Sequence, residues 1–111
     1  MSVGYILANR SKKEVIRFLN LPVNTAREIA GNPISASIVT WYLLKNSGDQ
    51  IAFIDDSSGA LGDIDSFEDV TEAVVEELVA RGVLEDRGIE WRDDDEPDTV
   101  FMRDLRNVWM K

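Results

Sequence analysis

Neither cysteine nor histidine occurs in the 111 residues of the chain. The first absence removes disulfides, thiolate nucleophiles and thiolate metal ligands together. The second removes the side chain that ordinarily serves as a base near neutral pH. No G-x-S-x-G, P-loop or G-x-G-x-x-G is present, so the familiar sequence signs of acyl transfer, phosphate cradling and dinucleotide binding are missing as well. Apolar runs fall far short of the ~20 residues that cross a bilayer, and Met1-Ser2-Val3-Gly4 is not a basic region leading into an apolar one. These absences lead us to expect a cytoplasmic protein without membrane partner, cofactor or enzymatic activity.

Basic residues are scarce too: 12 Lys and Arg stand against 21 Asp and Glu, a net charge of -9. The imbalance is uneven. Residues 1–50 hold six basic and three acidic side chains, a balance of +3, which leaves -12 for the remainder. Such a field repels nucleic acid and anionic lipid and favours encounter with a basic protein surface. A solvated, soluble surface has the same composition. The length fits one domain, residues 1–111, that buries roughly two thirds of its unfolded surface.

What is present reads as an α+β fold. Val3 to Ala8 is β-prone, Asn9 to Lys12 is turn-like and Glu14 to Phe18 partly alternates, which together give an N-terminal β-hairpin. Leu21-Pro22-Val23 is extended ahead of proline, and Asn24 or Thr25 then caps a short helix ending at Gly31. Pro33 to Lys45 is apolar nearly all round, so a central buried helix is expected over about 33–46, with Asn32 as cap and Asn46-Ser47-Gly48 as stop. An inner strand is expected at about 50–54. The segment from Ser66 to Asp69 has capping-box spacing, and Phe67, Val70, Val74 and Leu78 trace a stripe, so an amphipathic helix is expected over 66–81, closed by Gly82. A C-terminal β-hairpin follows at about 88–102; Phe101, Met102, Leu105, Val108 and Trp109 also fit one face of a competing helix.

Candidate sites are carboxylate clusters. Glu68, Glu72 and Glu76 recur at i+4, a spacing at which like charges repel by a few tenths of a kcal/mol. With the run Asp93, Asp94, Asp95 and Glu96 they form the expected surface for a basic protein, in the manner of an inhibitor that occupies a nucleic-acid-binding surface. Two alternatives stand behind this one. A carboxylate-only, metal-dependent enzyme would use Asp55, Asp56, Asp63 and Asp65 of the 55–65 loop, but a calcium loop starting at Asp55 would need its glycine where Ala60 stands. Weak nucleic-acid binding would use Arg10, Lys12, Lys13 and Arg17 of the N-terminal hairpin.

Two resemblances accompany these readings. The stretch from Glu76 through Gly82 to Gly88 resembles the helix-into-wing passage of winged-helix proteins, yet the helix that would enter a DNA groove displays Glu68, Glu72, Glu76 and Glu77 to phosphate. Tyr5-Ile6-Leu7-Ala8-Asn9, Lys12-Lys13-Glu14, Val39-Thr40-Trp41 and Asp69-Val70-Thr71 together resemble a pattern in a group of small uncharacterised bacterial proteins. That resemblance implies a bacterial, standalone, non-enzymatic domain with no catalytic residue to carry over.

Overall fold

The computed structural model describes residues 4–21, 23, 25–55, 64–96 and 101–109. Strands β1 (Tyr5–Asn9) and β2 (Glu14–Ile16) form the expected N-terminal hairpin, and α1 (Ala26–Gly31) and α2 (Pro33–Lys45) follow. Next come β3 (Ile51–Asp55), β4 (Glu68–Asp69), α3 (Thr71–Ala80), β5 (Leu84–Arg92) and β6 (Phe101–Asn107). The fold is α+β: a four-stranded sheet in the order β3-β1-β2-β4 and a separate β5-β6 pair.

Alternation along β1 divides the core in two. Leu7 faces the helices in a cluster with Ile16, Ile38, Tyr42, Val75 and Leu78, while Ile6 and Ala8 face the opposite side with Val15 and Ile64. Each fully buried aliphatic side chain contributes about 1.5–3 kcal/mol of transfer free energy. Helix α1 begins in a complete capping box between Thr25 and Glu28, and buried Ser35 ties it to α2 by donating to the Ile29 carbonyl at 2.7 Å. Asn32 caps α2 by accepting from the Ile34 amide at 2.8 Å, with Pro33 in the first turn as expected. The Pro22 and Asn24 parts of the preceding expectation lie outside the described residues.

Four expectations are corrected. Helix α2 is not buried on most of its circumference: Ser35, Ile38 and Tyr42 are inside, whereas Leu43 and Leu44 are exposed, Leu44 by 68%. Only one side of this uniformly apolar helix meets the sheet. Among the described residues, strand β3 is not an inner strand but an edge of the sheet, with β1 in the interior. A five-residue apolar run is compatible with either place, because periodicity carries no record of neighbours.

The third correction concerns α3, which starts at Thr71 rather than Ser66. The amides of Glu68 and Val70 donate to the Lys13 and Val15 carbonyls at 3.1 and 2.9 Å, so β4 joins β2 in parallel. Those backbone bonds replace the helical turn, and Phe67 packs on the far side of the sheet instead of along α3. Val70 stands at the cap position without a capping side chain, and Asp69 just before it accepts from the Thr71 amide through Oδ1 at 2.8 Å. The C-terminal stop is as expected: Gly82 has φ of +76° and the Val83 amide donates to the Leu78 carbonyl at 3.0 Å. Fourth, the C-terminal hairpin is longer than 88–102, running from Leu84 to Asn107, and residues 101–107 are strand, not helix. Cross-strand pairing from Leu84 to Asn107 and burial of Leu105 decide between those two readings.

Candidate functional site

The ion pairs sort the carboxylates into engaged and unengaged groups. Arg103, on β6 with only 10% of its side chain exposed, holds Glu72 Oε2 at 2.5 Å and Asp86 Oδ2 at 2.7 Å. Asn20 adds a donor to Glu72 Oε1 at 3.3 Å. Glu72 is therefore part of the seam between α3 and the β5-β6 hairpin. Glu77 is engaged likewise: Lys45 lies 2.6 Å from its Oε2, the Trp41 indole donates to its Oε1, and the Arg81 guanidinium sits over the Trp41 ring, 5.6 Å from the centroid. Lys45 and then Trp41 hold the Glu77 carboxyl below its ordinary pKa. Glu77 thus links α3 to α2.

Glu68, Glu72 and Glu76 do not share a helical edge, since Glu68 belongs to β4. Glu68 and Glu76 are exposed, and so are Asp94, Asp95 and Glu96 in the connection after β5. Asp93 Oδ2 accepts from the amides of Asp95 and Glu96 at 3.1 and 3.0 Å, which turns the chain sharply and leaves its neighbours pointing to water. Among the described residues, the ion pairs take up none of Glu68, Glu76, Asp93, Asp94, Asp95 and Glu96.

Beside this acidic turn, β5 is exposed from Glu85 to Arg92, and Ile89 and Trp91 are 39% and 51% open to solvent. Sequence reasoning passed over both, placing them only within the expected hairpin at about 88–102. The missed signal was the placement of two large apolar side chains on either side of Glu90, just ahead of the acidic run from Asp93 to Glu96. The strand pairing is also broken by irregularities around Ile89, and Gly88 takes φ of +103°. Irregular pairing of this kind re-aims side chains that regular alternation would place by rule.

A second polar cluster lies at the turn end of β1. Asn9, buried at the end of an otherwise apolar strand, donates to the Tyr42 hydroxyl at 3.0 Å and to Asp49 Oδ2 at 2.9 Å, while its Oδ1 accepts from the Lys12 amide at 3.1 Å. Tyr42 donates onward to Glu14 Oε1 at 2.7 Å. Burial, and next the bond to Glu14, push the Tyr42 phenol far above its ordinary value, so it stays a protonated donor at neutral pH. The Asn9 hydrogen bond, helped by Lys12, holds Asp49 below the usual carboxylate range. Every member has a partner, and the cluster works as a tie between hairpin, helix and loop.

For metal chemistry, the described residues contain no group of three or more carboxylates placed to hold an ion. Most of the 55–65 loop, residues 56–63, lies outside the described residues. No helix among the described residues is long and apolar enough to cross a membrane. Comparisons with protein-family models, with curated proteins and with solved structures give no match.

Proposed function

We propose that the protein is a small acidic interaction or regulatory domain that binds a basic protein surface, in the manner of an inhibitor, through the exposed arm of β5 and the turn that follows it. The observation that carries this reading is the adjacency of half-exposed Trp91 to Asp93, Asp94, Asp95 and Glu96. An aromatic anchor ringed by charge is the composition of an interface centre and rim. Glu76 and Glu68 extend the unengaged acidic surface; Glu72 belongs to the fold, because a lysine there would face Arg103 instead of neutralising it.

Electrostatics supplies the mechanism. The -12 balance beyond residue 50 steers a cationic surface into encounter, and desolvation of Trp91 and Ile89 then slows its departure. The test is association rate against ionic strength for a partner captured from the source cell. Reversing Asp94 and Asp95 to lysine is expected to slow association and flatten its salt dependence, while Trp91→Ala mainly accelerates dissociation. Unchanged rates and salt slopes in both variants would reduce the acidic arm to a solvated surface.

A further inference from the structure

A groove of about 400 Å³ runs between β6 and the junction of α1 with α2, and reaches Glu90 of β5. Its walls are largely apolar, built from Leu21, Val23, Pro33, Ile34 and Leu105. Internal bonds fix both sides. Ser35 donates to the Ile29 carbonyl at 2.7 Å and Asn32 caps α2, which holds the helix junction. The Arg103 amide donates to the Asn20 carbonyl at 3.0 Å, which holds β6 against the segment that leads into Leu21. Ligand pockets run from about 300 to 1,000 Å³, so the groove is small for a ligand and ample for one side chain.

Its charges are unequal. Arg103 and Arg106 border the groove, and both are matched: Arg103 by Glu72 and Asp86, Arg106 by Asp104, whose Oδ1 lies 3.4 Å away. Glu90 is exposed and, among the described residues, takes part in no ion pair. Four carboxylates thus stand against two guanidinium groups, and the one left over is beside apolar walls.

We propose that this groove receives an arginine side chain of the basic partner, its guanidinium on Glu90 and its methylene stem along the apolar walls. The inference rests on the reading of the protein as a binder of basic surfaces and names what such a surface inserts. An apolar occupant would strip water from the Glu90 carboxylate without giving it a partner, and an anionic one would meet it as a like charge. A cationic side chain does neither. Guanidinium suits the place better than ammonium, because it lays two parallel N–H donors on one carboxylate and is more weakly hydrated. Its stem covers apolar surface while the charged head stays near water. Glu90 directly precedes Trp91, so the groove continues the surface that the acidic arm begins.

The probe is the capped peptide acetyl-Gly-Arg-Gly-amide, titrated at low salt into the isotope-labelled full chain and followed through its backbone amide signals. Saturable shifts are expected at Leu21, Val23, Ile34 and Leu105. The citrulline peptide, similar in shape and uncharged, should not produce them, and the lysine peptide should bind more weakly than the arginine one. Glu90→Gln changes an exposed side chain and keeps the groove; it should raise the dissociation constant of the arginine peptide about threefold or more, as the loss of a partly exposed ion pair does. Groove signals that stay in place overturn the proposal, whether or not the amides of residues 93–96 respond. So does a Glu90→Gln chain that binds as well as the wild type, or a citrulline or lysine peptide that binds as well as the arginine one. The acidic-arm reading fails separately, through the variant reversed at Asp94 and Asp95, in which the groove is intact.

Discussion

Tyr42 on α2 donates its phenolic hydrogen to Glu14 on β2 across 2.7 Å, and through that bond the helix is pinned to the hairpin at a point where Tyr42 is buried and Glu14 half-buried. Replacing Tyr42 by phenylalanine removes the donor and keeps the ring. A hydrogen bond to a charged acceptor contributes about 1.5–3 kcal/mol, so Tyr42→Phe is expected to lower unfolding free energy by that amount in urea melts. Asn9 keeps Asp49 as a partner, which limits the loss. An unchanged midpoint would mean that water replaces the phenol at Glu14 without cost.

Arg103 should behave as a fork rather than as a point charge. Its Nη1 and Nη2 serve different carboxylates, Glu72 and Asp86, on two different elements. Arg103→Ala is expected to cost about 1–2 kcal/mol, below the figure for a buried pair because both carboxylates stay partly hydrated. Arg103→Lys should recover less than half of that loss. Chemical denaturation of the two variants decides, and full rescue by lysine would refute the fork.

Thr71 opens α3 with its hydroxyl oxygen buried and, among the described residues, unbonded. Its amide, by contrast, donates to Asp69 Oδ1. Thr71→Val keeps the shape and removes a desolvated hydroxyl, so it should leave the protein equally stable or more stable by up to about 1 kcal/mol. A loss of more than that in thermal melts would show that the hydroxyl has a bridging partner.

Acid should unfold the protein through named groups. Asp49, Glu77 and Asp86 all titrate below their ordinary values of 3.8, 4.5 and 3.8. A depressed carboxylate stabilises the fold fully above its unfolded pKa, and that contribution disappears as pH falls through the folded one. The melting temperature is therefore expected to hold steady near neutrality and to drop once pH passes below about 4.5. For Asp86 the largest cause is the Gly88 amide, with Arg103 behind it. Asp86→Asn retains an acceptor for that amide and loses the charge, so its acid limb should be shallower than that of the wild type.

Much of the local structure was legible because its causes are local. Asn32 with Pro33 fixed the start of α2 and Gly82 the end of α3, while the start of α1 was narrowed to Asn24 or Thr25, between which the capping box with Glu28 selects Thr25. The same reasoning failed at Ser66. Its capping spacing was sound in isolation, but the carbonyls of Lys13 and Val15, more than 50 residues away, claimed the amides of that segment. A local signal cannot report a remote competitor.

The candidate site divides along the same line. Sequence by itself determined that the molecule is acidic, that the acid is concentrated beyond residue 50, and that thiol and imidazole chemistry are absent. Only tertiary structure decided which carboxylates are engaged, because that depends on where Arg103, Lys45 and Lys12 come to rest. It decided too that the apolar strand at Ile51 lies on an edge and that Trp91 faces water. Composition and short-range hydrogen bonding are properties of the chain; charge pairing and exposure are properties of neighbours, and neighbours are assigned by the fold.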